Sequence, residues 1–303
     1  MKKSLIFTWY ACNENCFFCS AEVDWRKHIN KTTNRILTEI LTEYRRWSKD
    51  IEFMWGEILI RSDINIILAF CKKIGFSRIS IETNWTKFMD YNFTKKILQN
   101  WLNNIVLSIH WWEAKINDFH TQLRGSFDMK IKGLDNLYIL SEEFDFSLST
   151  NYVVTSQNIN NINIFLGLIK DYTFIEKNIF AFVRPIKVYK ENYKNYLPNF
   201  NSIKKVFETL KYDNKVLVQY LPYCIIEEKY HKKYLDYFSK WLKKNVNKIN
   251  IEGNTSLEDA IQSEESYFNE CTSCIYKDKC RGVWSEYVDF FKMKKPPLLI
   301  PIK

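Results

Sequence analysis

Three cysteines lie close together near the amino terminus of this 303-residue chain, in the pattern C-x3-C-x2-C. They are Cys12, Cys16 and Cys19. Thiolates are soft ligands that suit iron–sulfur clusters and zinc. Three of them can hold three irons of a 4Fe–4S cube and leave the fourth iron open to a small molecule. Structural zinc, which normally has a fourth ligand, stays as the less favoured alternative, because His28 is outside zinc-finger spacing.

A second group of cysteines lies near the carboxyl terminus, in the pattern C-x2-C-x5-C-x-G. It comprises Cys271, Cys274 and Cys280, and Cys224 supplies a fourth thiol. Four thiolates complete the coordination of a 4Fe–4S cluster or of a zinc ion. A fully coordinated cluster has no open iron, which favours electron transfer or a structural role. Zinc remains a competing occupant here, because four-cysteine zinc sites use the same C-x2-C spacing.

Composition and charge exclude several classes of protein. Hydrophobic residues make up 46% of the chain and charged residues 26%, which is typical of a globular protein. The net charge of +9 comes from lysines spread along the chain, so it gives little support to a nucleic-acid partner. No apolar run approaches the ~18 residues of a membrane span. Clustered cysteines without an export signal predict metal binding in the cytoplasm rather than disulfides.

Strand-like and helix-like stretches alternate through the first two thirds of the sequence. Six apolar strands are each followed by a stretch with helical spacing; the strands begin near residues 4, 50, 78, 104, 146 and 178. Repeated strand–helix units predict a parallel sheet covered by its crossover helices. We therefore predict an α/β protein with a partial (β/α)6 TIM-like barrel over residues 1–212. Residues 213–303 are expected to form a smaller cysteine-rich module.

Polar or unusual motifs follow the first five predicted strands. Reactive groups gather at the carboxyl ends of the strands in barrels of this kind, so these motifs are expected to share one site. These motifs follow residues 8, 54, 84, 108 and 151. For Ser108 and Asn151 taken singly, a polar group with ordinary hydrogen bonds at a strand end explains the residue equally well.

The combination of motif and predicted barrel resembles the radical S-adenosylmethionine (SAM) superfamily. The matching segments are Cys12 to Cys19 with Phe18, Trp55-Gly56-Glu57 in place of Gly-Gly-Glu, Thr83-Asn84-Trp85, Ser108 to Trp111, Arg124 to Phe127, Asn151, and Val183 to Pro185. The resemblance implies that the first three cysteines bind a 4Fe–4S cluster whose open iron chelates SAM. One electron would then cleave SAM to a 5′-deoxyadenosyl radical, which abstracts a hydrogen atom from substrate.

The same resemblance assigns expected roles and partners. It implies that Glu57 receives the SAM amino group and that the other strand-end groups, Asn84, Ser108 and Asn151, contact the rest of SAM. The second cysteine group resembles the SPASM or twitch modules of radical SAM peptide maturases, which implies a second 4Fe–4S cluster. An electron donor such as flavodoxin or ferredoxin and a peptide or protein substrate are then expected.

Other functions stay open at this stage. A small molecule or an RNA could replace the peptide as substrate. A catalytically degenerate protein with the same fold, and a zinc protein associated with nucleic acid, are the two alternatives to an enzyme. The sequence contains no signature for the bond that is broken.

Glycine is scarce in this chain and tryptophan is abundant. There are 7 Gly and 10 Trp, whereas average usage of roughly 7% predicts about 21 glycines. Tryptophan replaces the family's glycine in three motifs, at Trp55, Trp85 and Trp111. Three more positions that suit glycine are occupied by Trp9, Trp47 and Trp101. Either UGA codons are read as glycine in the source organism, or these are true tryptophans in a degenerate enzyme.

Overall fold

The computed structural model describes residues 2–19, 30–110, 113–184, 196–211, 215–235, 246–249, 254–256, 265–285 and 287. Nine strands in it form one sheet: β1 Lys2–Phe7, β2 Ser48–Met54, β3 Arg78–Thr83, β4 Asn104–Ser108, β5 Ser147–Val154, β6 Ile175–Phe182, β7 Val216–Gln219, β8 Val246–Ile249 and β9 Asn254–Ser256. A separate antiparallel pair joins β10 Glu265–Ser266 to β11 Val283–Trp284.

Eight α-helices lie within the described residues. They are α1 Thr33–Arg45, α2 Ile64–Ile74, α3 Tyr91–Gln99, α4 Ala114–Thr121, α5 Ser126–Leu140, α6 Ile162–Ile169, α7 Phe200–Glu208 and α8 His231–Tyr234. Short 3-10 turns follow several strands, among them Ile58–Ile60 after β2 and Thr86–Met89 after β3. None of the described helices is long and apolar enough to cross a membrane.

The sheet has the strand order β7-β6-β5-β4-β3-β2-β1-β8-β9. Parallel pairing sets Leu5 beside Glu52, Glu52 beside Ser80 and Ser80 beside Asn104. The predicted partial barrel is confirmed, because seven parallel strands form an α/β half-barrel. The sequence indicated six strand–helix units, and β7 adds a seventh strand that pairs in parallel with β6.

Alternation along β1 explains how the helices cover the sheet. Ile6 is fully buried, and the hydroxyl of Ser4 donates to the Glu43 carboxylate of α1 over 2.7 Å. Leu5 and Phe7 point to the other face, where they form an apolar cluster with neighbouring aromatic residues. Since successive side chains of a strand point to opposite faces, the same strand supports a helix and lines the inside of the half-barrel.

Two compact units can be distinguished by their internal contacts. Unit 1 comprises Met1–Thr150, Tyr172–Glu176 and Lys244–Leu257. Unit 2 comprises Asn151–Asp171, Lys177–Lys243 and Glu258–Lys303. The boundary between a barrel domain over residues 1–212 and a cysteine-rich module over residues 213–303 stays a prediction.

Candidate functional site

The loop that follows β1 carries the first three cysteines, in unit 1. None of these three cysteines is in a disulfide bond. Two backbone N–H groups between the cysteines donate to the end of α4: Asn15 N to Thr121 O over 2.8 Å, and Phe17 N to His120 O over 3.2 Å. These bonds fix the loop against a helix that the sequence pattern had not predicted.

The sulfur of Cys12 receives two N–H donors. They are the backbone N of Glu14 and Nδ2 of Asn84, each 3.4 Å from Cys12 Sγ. Asn84 Nδ2 also donates to Asn13 Oδ1 over 2.9 Å, which ties the loop to the end of β3. Burial raises the pKa of the Cys12 thiol to about 12, and the nearby Glu57 charge adds to this, while the N–H of Glu14 opposes it. A bound metal ion reverses this balance by holding the thiolate.

A buried ion pair joins the cysteine loop to α5. Lys130 Nζ of α5 lies 3.0 Å from Glu14 Oε1, with side-chain exposures of 0% and 3%. The hydroxyl of Ser126 donates to the same oxygen, and Cys16 Sγ donates to the other carboxylate oxygen of Glu14 over 3.6 Å. Lys130 also donates to the backbone carbonyl of Ser108 over 3.3 Å. One lysine therefore connects α5, the end of β4 and the cysteine loop.

Sequence reasoning did not single out Glu14 or Lys130. A signal for the lysine existed, because Lys130 stands on the buried side of α5 with Gly133, Leu134 and Leu137, at the spacing of one helix face. A charged residue at a core position of a helix needs a buried partner. The identity of that partner, Glu14, could not be read from the sequence.

Glu57 joins the ends of β2 and β3. Its carboxylate accepts hydrogen bonds from Leu59 N over 2.9 Å, from Thr83 Oγ1 over 2.8 Å and from Asn84 N over 2.6 Å. Its backbone N donates to Ala11 O, next to the first cysteine, over 2.8 Å. Burial raises the pKa of Glu57 to about 7, although these three donors oppose the shift.

Gly56 and Trp55 lie beside the cysteine loop, before Glu57. A Cβ on Gly56 would lie only 2.6 Å from Ala11 O, so a side chain cannot be accommodated there. The ring of Trp55 stacks on Phe7 with centroids 4.8 Å apart and meets the ring of Tyr10 edge-on at 5.6 Å. The indole therefore fills the space between these two rings.

Phe18, the residue before Cys19, packs against the ring of a histidine. Phe18 is buried and meets the His110 ring edge-on, with centroids 4.5 Å apart. Burial, with a smaller contribution from the charge of Lys130, lowers the pKa of His110 well below its usual value, so this histidine is neutral. His110 thus packs as an uncharged ring behind the loop.

Most of the predicted SAM-binding residues come together in unit 1. Gly56, Glu57 and Asn84 adjoin the cysteine loop, and Ser108 connects to it through its carbonyl and Lys130. Asn151 lies on β5 and belongs to unit 2. Trp111 and His28 lie outside the described residues.

The second cysteine group surrounds one cavity in unit 2. Its lining includes all four predicted ligands, Cys224, Cys271, Cys274 and Cys280. Gly282 N donates to Cys280 Sγ over 3.4 Å. Burial raises the pKa of Cys224 to about 12, and the three neighbouring thiols raise it further. The influence of these three thiols on Cys224 reflects their proximity to it.

Both cysteine groups have the donor atoms that a metal cluster needs. Among the described residues, no three Cys, His, Asp or Glu side chains already converge at metal-ligand distances. The donors nevertheless fit in type and number: three thiols on one loop, and four around one cavity. Each group also has a backbone N–H directed at a sulfur atom.

The sequence profile described as the Radical SAM superfamily matches residues 6–162, just over half of the chain. A curated relative is the 7,8-dihydro-6-hydroxymethylpterin dimethyltransferase of Methanocaldococcus jannaschii, 25% identical over 99 residues. This match covers 32% of the chain and 20% of the relative, so the chain spans about a fifth of that protein.

Two solved structures resemble the whole chain. Streptococcus suis SuiB bound to the precursor peptide SuiA has a TM-score of 0.66 at 16% identity, covering 99% of this chain and 75% of SuiB. The structure of anSMEcpe with bound AdoMet and Kp18Cys peptide has a TM-score of 0.61 at 14% identity, covering 99% and 98%. At such identities the likeness shows the fold alone.

Proposed function

Because this chain belongs to the radical SAM superfamily, we propose that it reductively cleaves SAM and uses the 5′-deoxyadenosyl radical to abstract a hydrogen atom from a peptide or protein substrate. The observation that carries the proposal is the attachment of the Cys12 loop to two strand ends. Asn84 binds the sulfur from β3, and Glu57 binds the loop backbone from β2. The protein thereby brings a three-thiol donor set to the edge of the half-barrel where such folds bind ligands.

Cys12, Cys16 and Cys19 are the proposed ligands of a 4Fe–4S cluster. When bound, the cluster supplies the electron that breaks a carbon–sulfur bond of SAM. The N–H groups of Glu14 and Asn84 would stabilise negative charge on the Cys12 sulfur. The buried ion pair of Lys130 with Glu14 would keep the loop in place when the thiols lose their protons.

The chain's own polar groups are the proposed SAM contacts. Glu57 Oε2 accepts one hydrogen bond, from Asn84 N, so it retains an acceptor position for the SAM amino group. Gly56 lets the backbone pass close to the cysteine loop, where a Cβ would collide with Ala11 O. Ser108, in unit 1, and Asn151, in unit 2, remain candidates for contacts with the rest of SAM.

A second 4Fe–4S cluster is proposed for Cys224, Cys271, Cys274 and Cys280. Four thiols leave no vacant coordination position, so the cluster would carry electrons or stabilise unit 2. A flavodoxin or ferredoxin is the proposed source of electrons, in a cytoplasmic setting. Zinc is the competing occupant, because its preferred donor set is the same.

A peptide or protein is the substrate class that we favour. The support is similarity of fold to SuiB with its precursor peptide SuiA and to anSMEcpe with a bound peptide. A small-molecule or RNA substrate, and a degenerate protein that no longer uses SAM, are alternative outcomes of the experiments below.

Anaerobic isolation followed by electron paramagnetic resonance tests the proposal. The reduced protein should show an iron–sulfur signal that changes when SAM is added, because SAM binds the open iron. Cys16→Ala should abolish the SAM-dependent change, and Cys71→Ala is the matched control because Cys71 is a buried helical cysteine. A colourless protein that carries only zinc would contradict the proposal and favour the zinc-protein alternative.

A further inference from the structure

Four tryptophans of the described chain have backbone conformations that suit glycine. Their φ angles are 66° at Trp47, 71° at Trp55, 54° at Trp85 and 73° at Trp101. In this left-handed region a Cβ crowds the neighbouring backbone, and a bulky side chain there is an outlier. Of the six described non-glycine residues with positive φ, four are thus tryptophans.

The ends of the first three helices allow a glycine and two tryptophans to be compared in the same backbone conformation. The left-handed residue that ends α2 is Gly75, with φ of 97°, and its N–H donates to Cys71 O. After α1 and α3 the left-handed residue lies one position beyond the C-cap. It is Trp47 after α1, which donates to Tyr44 O, and Trp101 after α3, which donates to Leu98 O. Glycine is strongly preferred at this position because it has no Cβ.

Burial does not compensate for the strain at these two helix ends. The side chain of Trp47 is 82% exposed and that of Trp101 is 49% exposed. An indole that stays largely in water contributes little packing energy. Lys72 Nζ lies 4.9 Å from the centroid of the Trp101 ring, a cation–π contact that contributes about 0.5–1 kcal/mol at an exposed site. This is less than the roughly 1–2 kcal/mol by which the left-handed conformation disfavours a residue with a Cβ.

The other two tryptophans stand at strand ends beside the candidate site. Trp55 is followed directly by Gly56, which has φ of 62°, so two consecutive residues are left-handed. Trp85 begins the 3-10 turn Thr86–Met89 and is buried, with its indole N–H donating to Ser108 O over 3.0 Å. A glycine at position 85 would leave that carbonyl with Lys130 as its donor.

We propose that the native protein carries glycine at positions 47, 55, 85 and 101, encoded by UGA codons that the source organism reads as glycine. One cause then explains four unrelated places in unit 1 and the excess of tryptophan over glycine, 10 to 7. Trp284, in strand β11, does not belong to this set, because its φ is not positive.

The consequence for the site, which rests on the proposed function, concerns position 55. Its indole fills the space between Phe7 and Tyr10 at the end of β2. Glycine at this position opens that space beside the cysteine loop to part of SAM. The residue at position 55 is identified from the codon and the peptide mass, whereas SAM cleavage is measured as an activity. The glycine proposal and the proposed function can therefore fail independently.

The direct test is the codon at each of the four positions, together with the mass of the corresponding proteolytic peptides from protein isolated from its own cells. UGA codons and peptides that contain glycine are expected. A UGG codon or a peptide that contains tryptophan at any of the four positions overturns the proposal there.

The recombinant chain gives an independent test of the backbone strain. Trp47→Ala and Trp47→Gly both remove the indole, but only glycine removes the Cβ. Trp47→Gly should unfold at a higher temperature than Trp47→Ala, and the same order should hold at Trp101. Trp284→Gly is the control and should lower the unfolding temperature, because that ring is buried. Equal unfolding temperatures for the glycine and alanine variants would contradict the strain on which the proposal rests.

Discussion

Lys130 Nζ lies 3.0 Å from Glu14 Oε1, although the two residues are 116 positions apart and both side chains are buried. The pair joins the second turn of α5 to the central residue of the three between Cys12 and Cys16. A charge that loses its partner in such a place is not compensated by water. The cysteine loop therefore depends on a helix that contributes no ligand to it.

Removing the lysine should destabilise the protein and its first cluster site together. We expect Lys130→Met to lower the free energy of unfolding by about 3–5 kcal/mol, because Glu14 stays behind as an unpaired buried charge. Iron content should fall as well. Chemical denaturation and iron analysis measure the two effects.

A double variant separates the ion pair from simple loss of packing. Glu14→Gln combined with Lys130→Met should lower the free energy of unfolding by less than the sum of the two single changes. Each single change leaves an unpaired buried charge, whereas the double variant leaves none. Lys95→Met is the control, since Lys95 pairs with Glu143 at the surface and should change little. Additive single and double effects would contradict the role of the pair.

Asn84 should set the reduction potential of the first cluster. Asn84→Asp keeps an oxygen that can accept from Thr86 N, but it replaces the amide that donates to Cys12 Sγ with a negatively charged group. Reduction adds an electron to the cluster, so extra negative charge nearby should make the potential more negative. A redox titration followed by electron paramagnetic resonance measures this.

The matched control for that titration is Asn100→Asp. Asn100 ends α3 and donates to Lys96 O, with no contact to a cysteine sulfur in the described residues. An equal shift in both variants would mean that the effect is a general charge effect and not a contact with Cys12.

The second cysteine group should hold its metal independently of the first. Cys274→Ser is expected to halve the iron content while the SAM-dependent signal of the first cluster remains, because all four of these cysteines line one cavity in unit 2. Metal analysis of the purified protein checks this. Loss of zinc with unchanged iron would instead identify a zinc site.

Trp55→Gly should strengthen SAM binding. Removal of the ring that stacks on Phe7 frees space next to the cysteine loop, and we expect the Kd for SAM to fall by about tenfold or more, which corresponds to roughly 1.4 kcal/mol. Equilibrium binding to the anaerobic protein measures the change. Trp101→Gly relieves the same backbone strain at the end of α3 and should leave the Kd unchanged. A Kd that does not respond to Trp55→Gly would show that the indole is not in the way of SAM.

The repeated strand–helix pattern was sufficient to predict the half-barrel, because each parallel strand needs a crossover helix and both leave periodic apolar residues. The seventh strand was harder to recognise as part of it, since Val216–Gln219 is only four residues long. The cysteine groups and the strand-end positions were predicted from local spacing.

Contacts between distant residues could not be predicted in the same way. The bonds of Glu57 to Thr83 and of Asn84 to Cys12 depend on which strands are neighbours and how far each one extends. The pairing of Lys130 with Glu14 depends on the packing of α5. Sequence spacing contains no information about such distances. The glycine positions at Trp55 and Trp85 were recognised instead because the motifs of the resembling family have glycine there, where the backbone conformation requires it.

Formation of 5′-deoxyadenosine is the most direct measure of the proposed SAM cleavage. The anaerobic protein with Trp47→Gly, Trp55→Gly, Trp85→Gly and Trp101→Gly is reduced with dithionite in the presence of SAM. We predict that 5′-deoxyadenosine accumulates, that Cys12→Ala abolishes it and that Cys71→Ala does not, because only Cys12 lies on the proposed cluster loop. An intact iron–sulfur spectrum with no 5′-deoxyadenosine would contradict the account and identify the protein as a degenerate member of its superfamily.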